Sequence, residues 1–383
     1  MTLGAYIQIP FCQAKCTYCN FHTGVVSRDR YQPYAEAVCR EIAASSSGGA
    51  PVVDTVYVGG GTPSLLDPAA LEQILGALRG TYRLDSEEIT LEADPETVTP
   101  AKASAWLRAG FDRISLGAQS FHDSELRAAG RRHRREDIFA AVDLLRTAGF
   151  RNISLDLIAG LPHQTRQSWE ESVSQLLRIY PEHVSIYMLE IDEGSRLGRE
   201  AIEGGERYSA GSLPSDDAMA ESYESGCARL AAAGYQHYEI SNWALPGRRS
   251  RHNLKYWRRE PYLGFGAGAH SFDGGTRWAN VHDPARYVRL LEQGASAHEQ
   301  FEPVTPWQAF QEEFFLGLRQ LEGIDLARIE RDYAAELSDR IAAIHQRVAY
   351  LKSQGLVEIE GTRLRLAPDR LAVSNEALVE LLG

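Results

Sequence analysis

Three thiols stand close together near the start of the chain. The stretch YIQIPFCQAKCTYCNF places Cys12, Cys16 and Cys19 in C-x-x-x-C-x-x-C spacing directly after a short apolar run. Thiolates this close select soft metals and iron–sulfur clusters. A structural zinc draws four protein ligands from paired knuckles, and no second knuckle follows downstream. Disulfide pairing leaves one thiol over and needs an oxidising compartment. Three thiolates suit a four-iron cluster whose fourth iron stays open to an exogenous ligand. Cys39 and Cys227 stand alone and read as buried thiols.

Further along lie other groups able to do chemistry. GGGTPS, residues 59–64, includes Gly60, Gly61 and Thr62, and glycines at a strand end let backbone amides approach a ligand. LEADPE supplies Glu92 and Asp94, carboxylates suited to an ammonium or to ribose hydroxyls. Asp94 before Pro95 also reads as a helix N-cap. SRHNLKYW brings His252 next to Tyr256 and Trp257, an imidazole beside two aromatic rings, which suits the iron and the flat face of a metal macrocycle. Against that stands the plainer reading of a histidine satisfied by hydrogen bonds. His22 and His270 are weaker ligand candidates.

The elements that must position these groups follow from periodicity. Strands are expected at 5–9, 52–58, 88–93, 112–117, 152–158 and 183–189, with amphipathic helical stretches at 34–44, 69–80, 102–109, 135–148 and 168–178. Strict alternation means βα units and a parallel sheet. Six units suggest an α/β fold with a partial (β/α)6 barrel; a doubly wound open sheet is the competitor, and both put chemistry at the carboxyl ends of the strands. The core is expected at 1–245 and a connecting segment at 246–290, holding HNxxYW and the Gly-rich YLGFGAGAHSF (262–272). A mostly helical C-terminal domain follows at 291–383, where a helix (340–354) and a hairpin in GLVEIEGTRLRLAP resemble a winged helix. SSSGG at 45–49 reads as a loop.

Composition sets the outer limits. The 383 residues are 44% hydrophobic and 24% charged, ordinary for a globular protein. A net charge of −12 repels nucleic acids and anionic headgroups. From residue 285 onward 11 Lys+Arg face 16 Asp+Glu, a net of −5, which argues against DNA binding by the winged-helix-like tail. No signal peptide or membrane-spanning run is evident, so a cytoplasmic location is expected. Lysine is rare: Lys15, Lys102, Lys255 and Lys352 stand against 36 arginines.

In the cysteine triad, the glycine turn and the strand order, the chain resembles the radical S-adenosylmethionine (SAM) superfamily, in which the triad holds a [4Fe-4S] cluster and the open iron chelates SAM. The resemblance is to the coproporphyrinogen oxidase-like branch and covers nearly the whole chain. It implies that Tyr6, Tyr18, Gly60, Gly61, Thr62, Glu92, Gln119 of SLGAQSF, Arg131 of GRRHRR and Asp156 of SLDLIAGLP surround SAM. Arg131 also fits a solvated basic face. Within the branch, oxygen-independent coproporphyrinogen III oxidases carry a further cysteine two residues after the triad, where this chain has Phe21, and an extension ahead of the motif that is not expected here. Heme chaperones of the HemW type carry H-N-x-x-Y-W, matched by His252, Asn253, Tyr256 and Trp257. Both comparisons favour the chaperone family. It implies heme at His252 and transfer of heme to acceptors such as membrane respiratory enzymes, with peripheral membrane contact and a homodimer left open. Radical decarboxylation of coproporphyrinogen is the alternative.

Overall fold

The computed structural model describes residues 2–45 and 51–382; the loop expected at 45–49 lies outside these beyond Ser45. β1 (Thr2–Ile9), β2 (Val52–Gly60), β3 (Arg83–Ala93), β4 (Arg113–Gln119), β5 (Ile153–Ala159) and β6 (His183–Met188) lie side by side in chain order. Each neighbouring pair is parallel. The crossovers are α1 (Tyr31–Ala44), α2 (Pro68–Thr81), α3 (Pro100–Ala109), the pair α4 (Asp123–Ala128) and α5 (Arg135–Ala148), and α6 (Arg166–Ile179). An order that never reverses has no topological switch point, which rules out the doubly wound competitor and gives the partial barrel.

The alternation of side chains explains the two layers. Ile7 and Ile9, Val56 and Val58, Ile89 and Leu91, Ile114 and Leu116, Leu155 and Leu157, and Val184 and Ile186 are buried in one apolar cluster with α1–α6 residues such as Leu71, Ile74, Trp106, Leu145 and Trp169. Their odd-numbered or even-numbered neighbours face the lumen and are largely polar: Tyr6 and Gln8, Thr55 and Tyr57, Glu88 and Glu92, Arg113 and Ser115, Ser154 and Asp156, His183 and Ser185. Helix starts are fixed by Asp67 before Pro68 and Thr99 before Pro100, whose side chains accept from Ala69 N and Lys102 N.

After β6 come α7 (Arg196–Glu203), α8 (Asp216–Ala232) and the hairpin β7 (Gln236–Glu239) and β8 (Asn242–Ala244), which adds antiparallel to β6. α9 (Arg251–Trp257) then leads to β9 (Tyr262–Phe265), which pairs parallel with β1 on its free side. β10 (His270–Phe272) and β11 (Thr276–Asn280) continue antiparallel; α10 (Pro284–Glu292) packs on α1 and is followed by β12 (His298–Pro303) at the edge. The stretch expected as a connecting segment at 246–290 thus extends the 12-stranded sheet. β9 to β11 are too short for a periodicity signal, and the Gly-rich composition masked them.

The amino end of the barrel is closed by α9. Glu88, in the lumen, accepts from Ser250 Oγ (3.3 Å), Arg251 N (3.0 Å) and His252 N (3.2 Å), so a buried carboxylate caps the helix. Lys255 Nζ, also buried, reaches Asp54 (2.9 Å) and Glu260 (3.0 Å). The C-terminal domain seals this floor from outside. Its elements are α11 (Pro306–Gly317), β13 (Ile324–Asp325), α12 (Leu326–Ser353), β14 (Val357–Glu360), β15 (Arg363–Leu366) and α13 (Ser374–Leu382). The three strands form the sheet β13-β15-β14 behind α12, the winged-helix arrangement expected. Glu312 bridges Arg259 and Arg277, and Glu313 pairs with Arg259 and Arg328. Ile240 N donates to Arg319 O and Leu321 N to Tyr238 O. Among the described residues no helix is long and apolar enough to cross a membrane.

Glu88 also faces the buried Arg113. Glu88→Ala is expected to lower unfolding stability by about 3–5 kcal/mol, because it uncaps α9 and strands that charge. Glu88→Gln, which keeps an acceptor, should lose less. Urea unfolding followed by circular dichroism checks both, and equal losses would show that the retained acceptor contributes nothing and the carboxylate charge carries the whole effect.

Candidate functional site

The cysteines, the glycine turn and Glu92 gather at the carboxyl end of the strands. The cysteine loop runs from β1 toward α1 and is folded back on its origin: Cys12 N donates to Gly24 O (3.0 Å) and Gly24 N to Pro10 O (2.9 Å). Its middle is held by Thr17 N to Ala129 O (3.0 Å) and Leu197 N to Thr17 O (2.8 Å), and the Arg196 side chain donates to Lys15 O. Lys15 Nζ spans the loop to Phe21 O at 3.2 Å. All three cysteines are free thiols of intermediate exposure. Burial raises the pKa of Cys12 and Cys19, so without a cation these sulfurs keep their protons; a bound metal reverses that balance. Among the described residues no three His, Cys, Asp or Glu side chains gather round a point that one metal ion would occupy. Thiolates that each bind a different iron of a cubane are spread wider than the ligands of one zinc.

The glycine turn belongs to the same construction. Gly61 N donates to Ile9 O (2.8 Å) and Thr62 N to Phe11 O (2.7 Å), stitching the turn after β2 to the root of the cysteine loop. A Cβ on Gly61 would lie 2.5 Å from Phe11 O and 3.0 Å from Cys12 Sγ, so no other residue fits there. Lys102 Nζ closes the turn from behind by donating to Ser64 O (2.6 Å).

Arg131 joins the loop to the strands. Its side chain is 9% exposed, and it donates to Asp94, to Gly117 O (2.8 Å) and to Cys16 Sγ (3.5 Å). Burial opposes the charge, but Asp94 and Cys16 more than offset it and raise the pKa. The solvated-face reading of the GRRHRR run therefore fails for Arg131, which lies in the turn between α4 and α5. Asp94 does not cap the short 3-10 turn that follows it; its other oxygen accepts from Thr62 Oγ1 (3.0 Å). Cap and anchor look alike in sequence, and only the partner distinguishes them.

The remaining residues line the mouth. Glu92 accepts from Tyr57 OH (2.8 Å) and Gly60 N (3.0 Å), and burial, aided by Asp156 and Asp94, lifts its pKa to about 7. Gln119 has φ 64°, left-handed for a side-chain-bearing residue, a strain found where a site dictates the backbone. Its Nε2 and Arg131 Nη2 both lie over Gly117. Asp156 carries a raised pKa from burial, and its Oδ1 is buried without a hydrogen-bond partner. Tyr6 donates to Gln8 Oε1 (2.6 Å), and Tyr18 packs on the apolar patch of Ala129, Ile158, Leu161, Leu189 and Leu197.

His252 lies elsewhere. It is 1% exposed, on the barrel floor, stacked against Tyr57 (5.3 Å) and Tyr6 (6.4 Å). Nδ1 meets Thr55 Oγ1 at 3.0 Å and Nε2 meets Tyr256 OH at 2.9 Å. Burial, with Lys255 and Arg113, pushes its pKa down to about 3, so the ring is neutral. Neither nitrogen is free for a metal, and His252 acts here as a packed, hydrogen-bonded floor residue. His22 and His270 are exposed at the mouth. Sequence reading passed over Gln8, Tyr57, Glu88 and Arg113; polar residues at every second strand position were the available signal.

Comparison with known proteins agrees with this architecture. Residues 6–176 match the family model of the radical SAM superfamily, and 304–369 match the HemN C-terminal domain. The chain is 34% identical over 382 residues to heme chaperone HemW of Bacillus subtilis, covering 99% of both chains. It is 38% identical over 273 residues to heme chaperone HemW of Escherichia coli, covering 70% of this chain and 69% of that one. Among solved structures, coproporphyrinogen III oxidase (HemN) of Escherichia coli shares the fold with a TM-score of 0.85 at 23% identity, covering 99% of this chain and 90% of the other. With a partial barrel, a cysteine triad at its mouth and full-length similarity of this degree, the chain belongs to the HemW family of the radical SAM superfamily.

Proposed function

We propose that the protein is a heme chaperone that holds a [4Fe-4S] cluster on Cys12, Cys16 and Cys19, binds SAM beside it and passes heme to acceptor proteins. The observation that carries this reading is the Arg131 clamp, which ties Cys16, the glycine turn at Thr62 and Asp94 after β3 into one polar mouth. The donor set suits both groups. Arg131 Nε, Asp156 Oδ1 and Thr23 Oγ1 are buried without partners, the condition in which a polar ligand repays its own desolvation.

When bound, a cluster of this type supplies an electron and an open coordination position for amino and carboxylate groups. The chain's own residues then divide the work. Gly60, Gly61 and Thr62 offer backbone and hydroxyl groups; Glu92 faces a cationic ammonium; Gln119 and Asp156 bind polar groups farther across the mouth. Tyr18 and Arg131 hold the loops in place, and Tyr6 lines the lumen beneath. The chaperone is favoured over the oxidase by the exposed Phe21, in the place where the oxidases carry a further cysteine, and by the relatives named heme chaperone HemW. Membrane respiratory enzymes are the acceptors this resemblance implies.

Anaerobic reconstitution should yield about four iron and four sulfide per chain, stoichiometric heme binding, and no conversion of coproporphyrinogen III with SAM. Conversion of that substrate would replace the chaperone reading with the oxidase one.

Glu92 gives a pH test. Its carboxyl is half-protonated near pH 7 with Asp94, Asp156, Tyr57 and Tyr6 facing it. An incoming ammonium favours the ionised form, so SAM binding releases a proton below that pH. Affinity should rise with pH by up to about tenfold per unit below 7 and level off above it. Glu92→Gln should bind about 10–100-fold more weakly with a flatter profile. Calorimetry in buffers of different ionisation enthalpy measures both, and an unchanged pH profile in Glu92→Gln would remove Glu92 from this role.

A further inference from the structure

Neither the cluster nor SAM gives a role to the glycine-rich turn after β9 or to the histidines around it. They gather at the same mouth. Because β9 runs parallel beside β1, the turn at 266–269 leaves the sheet at the edge where the cysteine loop begins. His270 opens β10 there, opposite Ala279 of β11. His282 follows β11 on its way back to that edge, and His22 comes from the cysteine loop itself. The rings of His22 and His282 have centroids 4.5 Å apart with planes at 40°. Gly268 has φ +73°, and a Cβ on it would come within 3.0 Å of His282 Nδ1, so the turn keeps room for that ring.

Among the described residues these imidazoles, with His163 on the loop after β5, differ from the other seven, whose ring nitrogens have hydrogen-bond or ion-pair partners. His133, His183, His237 and His252 each have a ring nitrogen in a hydrogen bond. Among the described residues, His22, His270 and His282 have no hydrogen-bond or ion-pair partner at a ring nitrogen, and all three are exposed. Partial burial, with His282, Arg277 and His22 nearby, lowers the pKa of His270, which favours its neutral, ligating form. Beside them on the cysteine loop, Phe21 is 66% and Val25 61% exposed. Unused imidazole nitrogens and bare apolar side chains side by side call for a ligand that is flat, apolar and metal-centred.

We infer that His22, His270 and His282 form the iron-porphyrin site of this protein, with one of these imidazoles as axial ligand and Phe21 and Val25 against the macrocycle. This rests on the heme-chaperone reading and names the residues that would carry it. The geometry also sets the ligation. Two rings straddling an iron are separated by two iron–nitrogen bonds plus the ring radii, farther than His22 and His282 lie apart, so that pair serves one face of the macrocycle. The other face stays open to an acceptor's ligand. His252 could serve only after losing both of its hydrogen bonds and opening the floor.

The test is hemin titration of the reconstituted full chain, followed at the Soret band, beside the triple variant His22→Ala, His270→Ala, His282→Ala. The substituted side chains are exposed, so fold, iron, sulfide and SAM binding should be retained. The triple variant should lose affinity by about tenfold or more and show the spectrum of unligated heme, and added free imidazole should restore a ligated spectrum. His22→Ala and His282→Ala alone should each give part of the loss. A triple variant that binds hemin as tightly, with an unchanged spectrum, overturns this site while leaving the heme reading intact. Failure of the unsubstituted protein to bind hemin overturns the heme reading itself.

Discussion

β1 has a parallel partner on each side, β2 on one and β9 on the other. The rest of the mouth follows from that constraint. Three neighbouring strands then end at one edge, and the loop carrying Cys12, Cys16 and Cys19 must emerge between two glycine turns. The turn after β2 is bonded to the loop's root through Gly61 N and Thr62 N; the turn after β9 is bonded to the same strand region, with the Tyr34 hydroxyl donating to Gln8 O and accepting from Ala267 N. A parallel partner requires a long crossover. The excursion from β6 through α9 to β9 supplies it.

That excursion also explains why polar residues fill the lumen without cost to the fold. Near the floor, Glu88 is answered by the amides of α9 and His183 by Ser154 Oγ and Tyr238 OH at 2.7 Å, while Arg113 lies in the field of Glu88 with its Nε unpaired. Near the mouth the accounting stops short, with polar atoms of Arg131 and Asp156 left unpaired. Buried polar groups are normally satisfied, so the unpaired atoms of Arg131 and Asp156 stand where a polar ligand could meet them.

The strands and helices of the barrel were legible because alternating βα periodicity is local; the six parallel strands fall where the apolar runs predict them. The triad and the GGGTPS turn were legible because their chemistry depends on spacing alone. What escaped was decided by contacts distant in sequence. Arg131 looks like one of several surface arginines until Asp94, 37 residues away, is seen to hold it. The residues at 246–290 read as a connector because strands of three to five residues carry too little pattern, yet they complete the sheet. HNxxYW is explained by helical spacing: positions 252 and 256 share a face of α9, where the imidazole and the phenol bond to each other. The rare lysines prove informative in three cases, with Lys15, Lys102 and Lys255 bracing the cysteine loop, the glycine turn and the floor.

A barrel plugged at one end by α9, and sealed there by Glu312 and Glu313 against Arg259, Arg277 and Arg328, leaves the mouth as the end where ligands can gather. Cysteines, carboxylates and exposed histidines all stand around it, divided by the single loop between β1 and α1. On the proposed reading, SAM lies on the β2–β3 side of that loop and the macrocycle on the β9–β11 side. Lys15 Nζ on Phe21 O and the pairing of Cys12 N with Gly24 O brace that loop as one piece, and it carries His22. On that reading the loop is the one element that both sides share.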